Sequence, residues 1–259
     1  MNYSKQLIIN ADDFGWDEDS CQATIDCMEA GAITSATIMT GRPATHMACA
    51  YAAANAHRFS FGLHFNIVDQ HRPVSRNQIS LIDQSTQTFR RSGQQRKRAM
   101  LWQLAPLDLQ TELLAQLDII QAKGVKVSHI DSHGHLHKFP GVITALKKAL
   151  QQRNIHRVRR PQNLYGPGSR MSTKVINRLS TPFFNALTLT DHFLTISNYE
   201  GQWFKHLLTL LPPGTTELAV HPGYGESWRH DETRPLLDQR FASLLTDSHT
   251  RLINFNHIG

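Results

Sequence analysis

Short apolar runs recur along this chain, and most are followed by a stretch whose apolar residues return every three or four positions. Leu7–Ala11 is the first such run, and it ends in Asp12-Asp13-Phe14-Gly15. Residues 17–30 then place Cys21, Ile25 and Met28 on one helical face, with Gly31 at the position of a helix C-cap. Ile33–Met39 is rich in β-branched residues, residues 44–55 are Ala-rich and helical, and Phe59–Phe65 looks extended. Further strands are predicted at Val125–Ile130, Ile155–Arg159, residues 191–197, Glu217–Val220 and Leu252–Phe255. Further helices are predicted after an N-cap at Asp108, through Leu109, Leu113, Leu117 and Ile120, and over residues 140–153, 172–187, 201–211 and 235–246. This alternation predicts an α/β chain, a distorted parallel (β/α) barrel of seven or eight strands. No linker divides the sequence, so residues 1–259 read as a single domain. An open Rossmann-like sheet is the rival, and the missing Gly-x-Gly-x-x-Gly after the first strand argues against dinucleotide binding.

Residues 67–107 break the rhythm. They carry Arg90, Arg91, Arg96, Lys97 and Arg98, then an apolar patch of Met100, Leu101, Trp102 and Leu104. A connection of this length inside a compact unit reads as an inserted lid. Its basic and apolar halves suit a membrane surface, or a subunit interface in a homo-oligomer that buries Trp102.

With 40% hydrophobic and 19% charged residues, the chain is globular rather than disordered. No apolar run reaches the length of a membrane-spanning helix. The run Leu7–Asn10 is too short for a signal-peptide core, so a cytoplasmic protein is expected. Three cysteines (Cys21, Cys27 and Cys49) cannot all pair and read as buried thiols. A net charge of +6 is modest, and the basic cluster is local with scattered aromatics, so no nucleic-acid partner is expected. The 15 histidines are the unusual count, roughly twice ordinary usage.

Their positions give the count meaning. Asp12 and Asp13 follow the first strand, His64 lies near the end of the third, His133 follows the fourth, Arg159 ends the fifth and His221 follows a late one. A closed β/α barrel collects such strand ends on one face, where active sites sit. Two imidazoles and one carboxylate can hold a divalent ion and leave positions open for water and substrate. Each piece has an ordinary alternative. The Asp pair could sit at a helix N-terminus, and His221-Pro222-Gly223 could be a plain turn. Two adjacent carboxylates near a buried strand end, however, repel each other unless a cation or shared proton intervenes. His129, Asp131, His133, His135 and His137 alternate, so an extended segment would put them on one face.

Together these segments resemble the YdjC-like carbohydrate deacetylase family. The matching stretches are Ile9–Gly15, Thr34–Thr37, Gly62–Phe65, His129–His137 and Val220–Tyr224, in family order. The resemblance implies a distorted barrel related to the polysaccharide deacetylases and hydrolysis of an N-acetyl group from an N-acetylated amino sugar, releasing acetate. It implies Asp13, His64 and His133 as metal ligands, Asp12 as catalytic base and His221 as catalytic acid. Arg159 and His135 are expected at the substrate. The cofactor is expected to be one divalent ion, zinc or magnesium foremost, with cobalt, nickel or manganese compatible. Two rivals remain from other classes: a two-metal phosphoesterase on a similar barrel, and a sugar-binding protein without catalysis.

Overall fold

Strand β1 (Lys5–Phe14) is the axis of the molecule and is buried from Leu7 onward. The computed structural model describes residues 4–76, 79–166, 169–195 and 203–258. After β1 come α1 (Glu18–Glu29), β2 (Ser35–Ile38), α2 (Thr45–Asn55) and β3 (Ser60–Phe65). A small insertion holds β4 (Ile82–Asp83), β5 (Thr88–Phe89) and α3 (Ser92–Met100). The chain resumes with α4 (Pro106–Ala122), β6 (Val127–Ser132), a 3₁₀ turn at His133–Lys138, α5 (Pro140–Gln152) and α6 (Met171–Ser180). It finishes with β7 (His192–Thr195), α7 (Trp203–Leu210), β8 (Gly214–Val220), α8 (Ser227–Thr233), α9 (Phe241–Asp247) and β9 (Thr250–Leu252).

The strands make one parallel sheet of seven, in the order β6-β3-β2-β1-β8-β7, with β9 beside the first half of β1. The fifth expected strand, Ile155–Arg159, survives only as two single bridges, Ile130 to Val158 and Arg157 to Thr188. Pro161 has no N–H to continue that pairing. The sheet is therefore a distorted barrel with its seam between β6 and β7. Other boundaries moved as well. Helix α4 is capped at Ala105 with Pro106 in its first turn, and Asp108 instead accepts a hydrogen bond from Ser80 N at 2.8 Å. Helix α8 was not foreseen, and the helix expected over residues 235–246 begins only at Phe241. The closing strand ends at Leu252, and residues 196–197 of another expected strand lie outside the described residues.

Alternation along β1 sorts the two sides of the barrel wall. Leu7, Ile9 and Ala11 join the main apolar core. Ile8 faces the other way and forms a small apolar plug with Ile253 and Phe255. On that plug the His129 ring stacks against Phe255, centroids 3.7 Å apart. Above it Asn10 bonds Ser35, Thr37 and His129. The barrel is thus apolar at the bottom and increasingly charged toward the carboxyl ends of its strands. The three cysteines are free and buried.

The 67–107 insertion is packed rather than loose. Ile67, Val68, Leu81, Phe89, Ala99 and Leu104 reach the core. Buried Gln95 donates to the carbonyls of Ile67 and Leu81, and Glu112 of α4 accepts from Val74 N and Ser75 N. These bonds satisfy backbone groups that would otherwise be orphaned beneath the surface.

Candidate active site

Two neighbouring carboxylates enter the barrel because β1 is irregular at its end. Its register against β2 shifts between Ala11 and Phe14, and Asp13 takes a left-handed φ of 60°. The extra residue cancels the alternation, so Asp12 and Asp13 both turn inward. Aspartate tolerates this backbone region better than most side chains.

Asp13 Oδ1 stands 2.9 Å from His133 Nδ1 and 3.3 Å from His64 Nε2, and the two nitrogens are 3.3 Å apart. Oδ1 is buried, yet neither histidine reaches it with hydrogen-bond geometry. Three donors bound to one ion at about 2.0–2.2 Å must themselves lie roughly 3 Å apart, so this triangle fits a divalent ion. Each imidazole is oriented from behind, as metal histidines are. His64 Nδ1 lies 2.7 Å from Asp131 Oδ1, and Thr37 donates to the other Asp131 oxygen at 3.0 Å. His133 Nε2 is 3.5 Å from Asp69 Oδ2, and Asp69 accepts from the Ser92 N–H and hydroxyl. The insertion thus reaches the site through Asp69. Trp16 stacks on His133 at 5.8 Å and is itself covered by the Arg42 guanidinium at 3.8 Å. Burial pushes the His64 imidazolium down, but Asp131 and Asp13 outweigh it and raise its pKa to about 10. Burial likewise opposes the charge on Asp13, yet His133 and His64 hold its carboxyl well below the usual range. Both effects describe a pocket that demands positive charge.

Arg159 was expected to meet the substrate, and its position corrects this. It is 0% exposed beneath Asp12. Its Nη2 lies 2.6 Å from Asp12 Oδ1, its Nη1 2.7 Å from Asp12 Oδ2 and 2.7 Å from Asp131 Oδ2, and its Nε 2.7 Å from Glu217 Oε1. A planar fork of donors suits three converging carboxylates, where a lysine would not. Against the cost of burial, Arg159 holds Asp12 far below the ordinary carboxylate range. Burial pushes Glu217 up to about 7, with Arg159 opposing.

His221 stands across from this pair. Its Nε2 is 3.9 Å from Asp12 Oδ2, and Glu232 Oε2 accepts from its backbone N–H at 2.6 Å and lies 3.3 Å from its Nδ1. Burial lowers the His221 pKa, but Glu232, Asp12 and Asp13 together raise it. Arg229 approaches from the same helix, α8. Its Nη2 donates to Asp13 Oδ2 at 2.9 Å, and its Nη1 is buried without a partner. Gly223 makes room for it, since a Cβ there would sit 2.8 Å from Arg229 Cδ.

The histidine run does not keep one face. The strand ends at Ser132, and Gly134 and His135 take left-handed conformations. His129 goes down to the plug, His133 joins the triangle with Asp13 and His64, and His137 packs beside the Ser132 hydroxyl at 2.6 Å. His135 lies against Phe193 at 5.8 Å, with its Nδ1 unpartnered. Asp69, Glu217, Arg229 and Glu232 went unnoticed in the sequence. Only Glu217 left a local signal, a carboxylate within an otherwise apolar strand.

The family model described as YdjC-like protein matches residues 6–247. A carbohydrate deacetylase of Brevibacillus brevis is 28% identical over 98% of this chain and 100% of its own. The Homo sapiens carbohydrate deacetylase is 29% identical over 85% of this chain and 75% of its own. Among solved structures, one described as a cellobiose-phosphate cleavage protein, from Enterococcus faecalis V583, shares the fold with a TM-score of 0.78 at 20% identity, covering 97% of this chain and 98% of that one. The chain therefore belongs to the YdjC-like protein family.

Proposed function

We propose that this protein is a metal-dependent carbohydrate N-deacetylase, releasing acetate from an N-acetylated sugar. The observation that carries the reading is the triangle of Asp13 Oδ1, His64 Nε2 and His133 Nδ1, flanked by a buried carboxylate on one side and a carboxylate-backed histidine on the other. Full-length relatives named carbohydrate deacetylase support it. Asp13, His64 and His133 would hold the ion. Two imidazoles suit zinc, and the set is also compatible with magnesium, manganese, cobalt and nickel. When bound, the ion supplies polarisation of the acetamide carbonyl and acidification of a water.

The chain's own groups do the rest. Arg159 and Asn10 keep Asp12 ionised and fixed, and Oδ1 takes two of the three hydrogen bonds. Oδ2, the oxygen facing His221, keeps a lone pair to accept the proton of the attacking water. General-base help of this kind is worth about 10²–10⁴-fold. His221, kept protonated by Glu232, gives its proton to the amide nitrogen as the C–N bond breaks. The products are acetate and a free amino sugar. His135, packed against Phe193 and two residues beyond His133, would meet the sugar. The three buried free thiols accord with a reducing compartment, and we place the enzyme in the cytoplasm.

A two-metal phosphoesterase fits less well. The other acidic group, Asp12, His64 and Asp131, is already bridged by the Arg159 guanidinium, which leaves room for one ion among the described residues. An acetate-release screen over N-acetylated saccharides, with each divalent ion after chelation, tests the proposal. Acetate release restored by one ion per chain is expected. Sugar binding without acetate release, or two ions per chain with phosphate-ester cleavage, would overturn it.

A further inference from the structure

The insertion and α6 share a feature that the reaction does not use. Exposed large apolar side chains gather there: Met100, Trp102 and Leu107 on one side, Met171, Val175 and Leu179 on the other. Leu107 is 72% exposed and Met171 71%. The last three recur at every fourth position of α6, so they form one outward stripe. Between α3 and another face of α6 lies a groove of about 290 Å³, lined by Met100, Lys138, Phe139 and Ile176.

The surrounding charge has a single sign. No Asp or Glu occurs between Asp83 and Asp108, or between Asp131 and Asp191. These two stretches hold five and ten of the chain's 27 Lys and Arg. Some serve elsewhere, as Arg159 does. Arg96, Lys97, Lys138, Arg170, Lys174 and Arg178 border the apolar stripe or groove, and none forms an ion pair with a carboxylate among the described residues. Burial, with the Arg96 charge adding to it, pushes the Lys138 ammonium down to about 8.

We infer that this face docks on the surface of an anionic lipid bilayer. An apolar stripe flanked by cations is the pattern of an interfacial helix, in which side chains enter the headgroup boundary while lysines and arginines meet lipid phosphates. A second copy of the chain would bring cations against cations, and an uncharged surface would leave them unmatched. The docked face lies beside the active-site turn. Arg96 donates to Gly134 O at 2.9 Å, and Lys138 ends the same turn that begins with His133. This inference stands on surface chemistry alone and goes beyond the proposed reaction.

Sedimentation of the full-length chain with vesicles tests it. The chain should pellet with mixed phosphatidylcholine–phosphatidylglycerol vesicles, stay in solution with phosphatidylcholine alone, and be released by added salt. Trp102→Ser with Leu179→Ser, and separately Lys174→Glu with Arg178→Glu, should each weaken binding by about tenfold or more. Circular dichroism would verify their folding, and the charge-reversed pair, at half-buried Lys174 and exposed Arg178, serves if the apolar pair misfolds. No pelleting with the anionic vesicles would overturn the inference. So would pelleting unaffected by folded variants, or a wild-type dimer in sedimentation velocity that the variants dissociate.

Discussion

At the scale of single residues, the site is a balance between one guanidinium and the carboxylate it shares. Arg229 holds Asp13 Oδ2, so only Oδ1 remains for an ion. A buried positive charge this close also repels a cation. Arg229→Gln removes the charge and keeps a donor; it should tighten divalent-ion binding by about tenfold in calorimetry while slowing turnover. A purely structural arginine would give the opposite sign in the binding measurement. His221, the acid of the proposed reaction, would work as the imidazolium. Its pKa is raised, against burial, mainly by Glu232. The protonated acid therefore persists as pH rises past the ordinary histidine range and is lost above its raised pKa. Glu232→Gln removes the main support, so the alkaline limb of kcat/KM should move to lower pH. An unchanged limb would show that another group governs it.

At the scale of elements, close approach decides which strands can be neighbours. A Cβ on Gly62 of β3 would lie 2.6 Å from His129 O and 2.8 Å from the His129 ring. The His129 ring is pinned in turn by Phe255 and Asn10. Gly62→Ala should therefore force β3 and β6 apart and cost about 1–3 kcal/mol in denaturant unfolding. An unaffected midpoint would mean that the ring moves freely. The sequence did reveal the larger elements, because strands and helices buried against one another keep apolar periodicity. It did not reveal α8, a seven-residue helix with polar neighbours. Nor did it reveal that Ile155–Arg159 would fail as a strand, since its apolar residues are spaced like those of true strands.

At the scale of the whole molecule, the barrel's closed end is apolar and its open end carries the charge. Arg159 joins the two halves of the sheet, holding Asp12 of β1, Asp131 of β6 and Glu217 of β8. Removing a buried counter-ion is worse than removing a buried pair, because the remaining charges have no solvent to screen them. Arg159→Met should cost about 3–5 kcal/mol in unfolding experiments. Wild-type stability would imply that the carboxylates take up protons instead.

The line of polar residues at successive strand ends, and the motifs that mark the family, are properties of the linear chain: a parallel barrel must place those ends on one rim. Which nitrogens face Asp13, which carboxylate is locked by Arg159 and which partners steady each histidine are not. Asp13 and Arg229 lie 216 residues apart, and Asp12 and Arg159 147. No periodicity encodes such pairs. They are set when the strands close around a common interior, where each buried charge must find an opposite one.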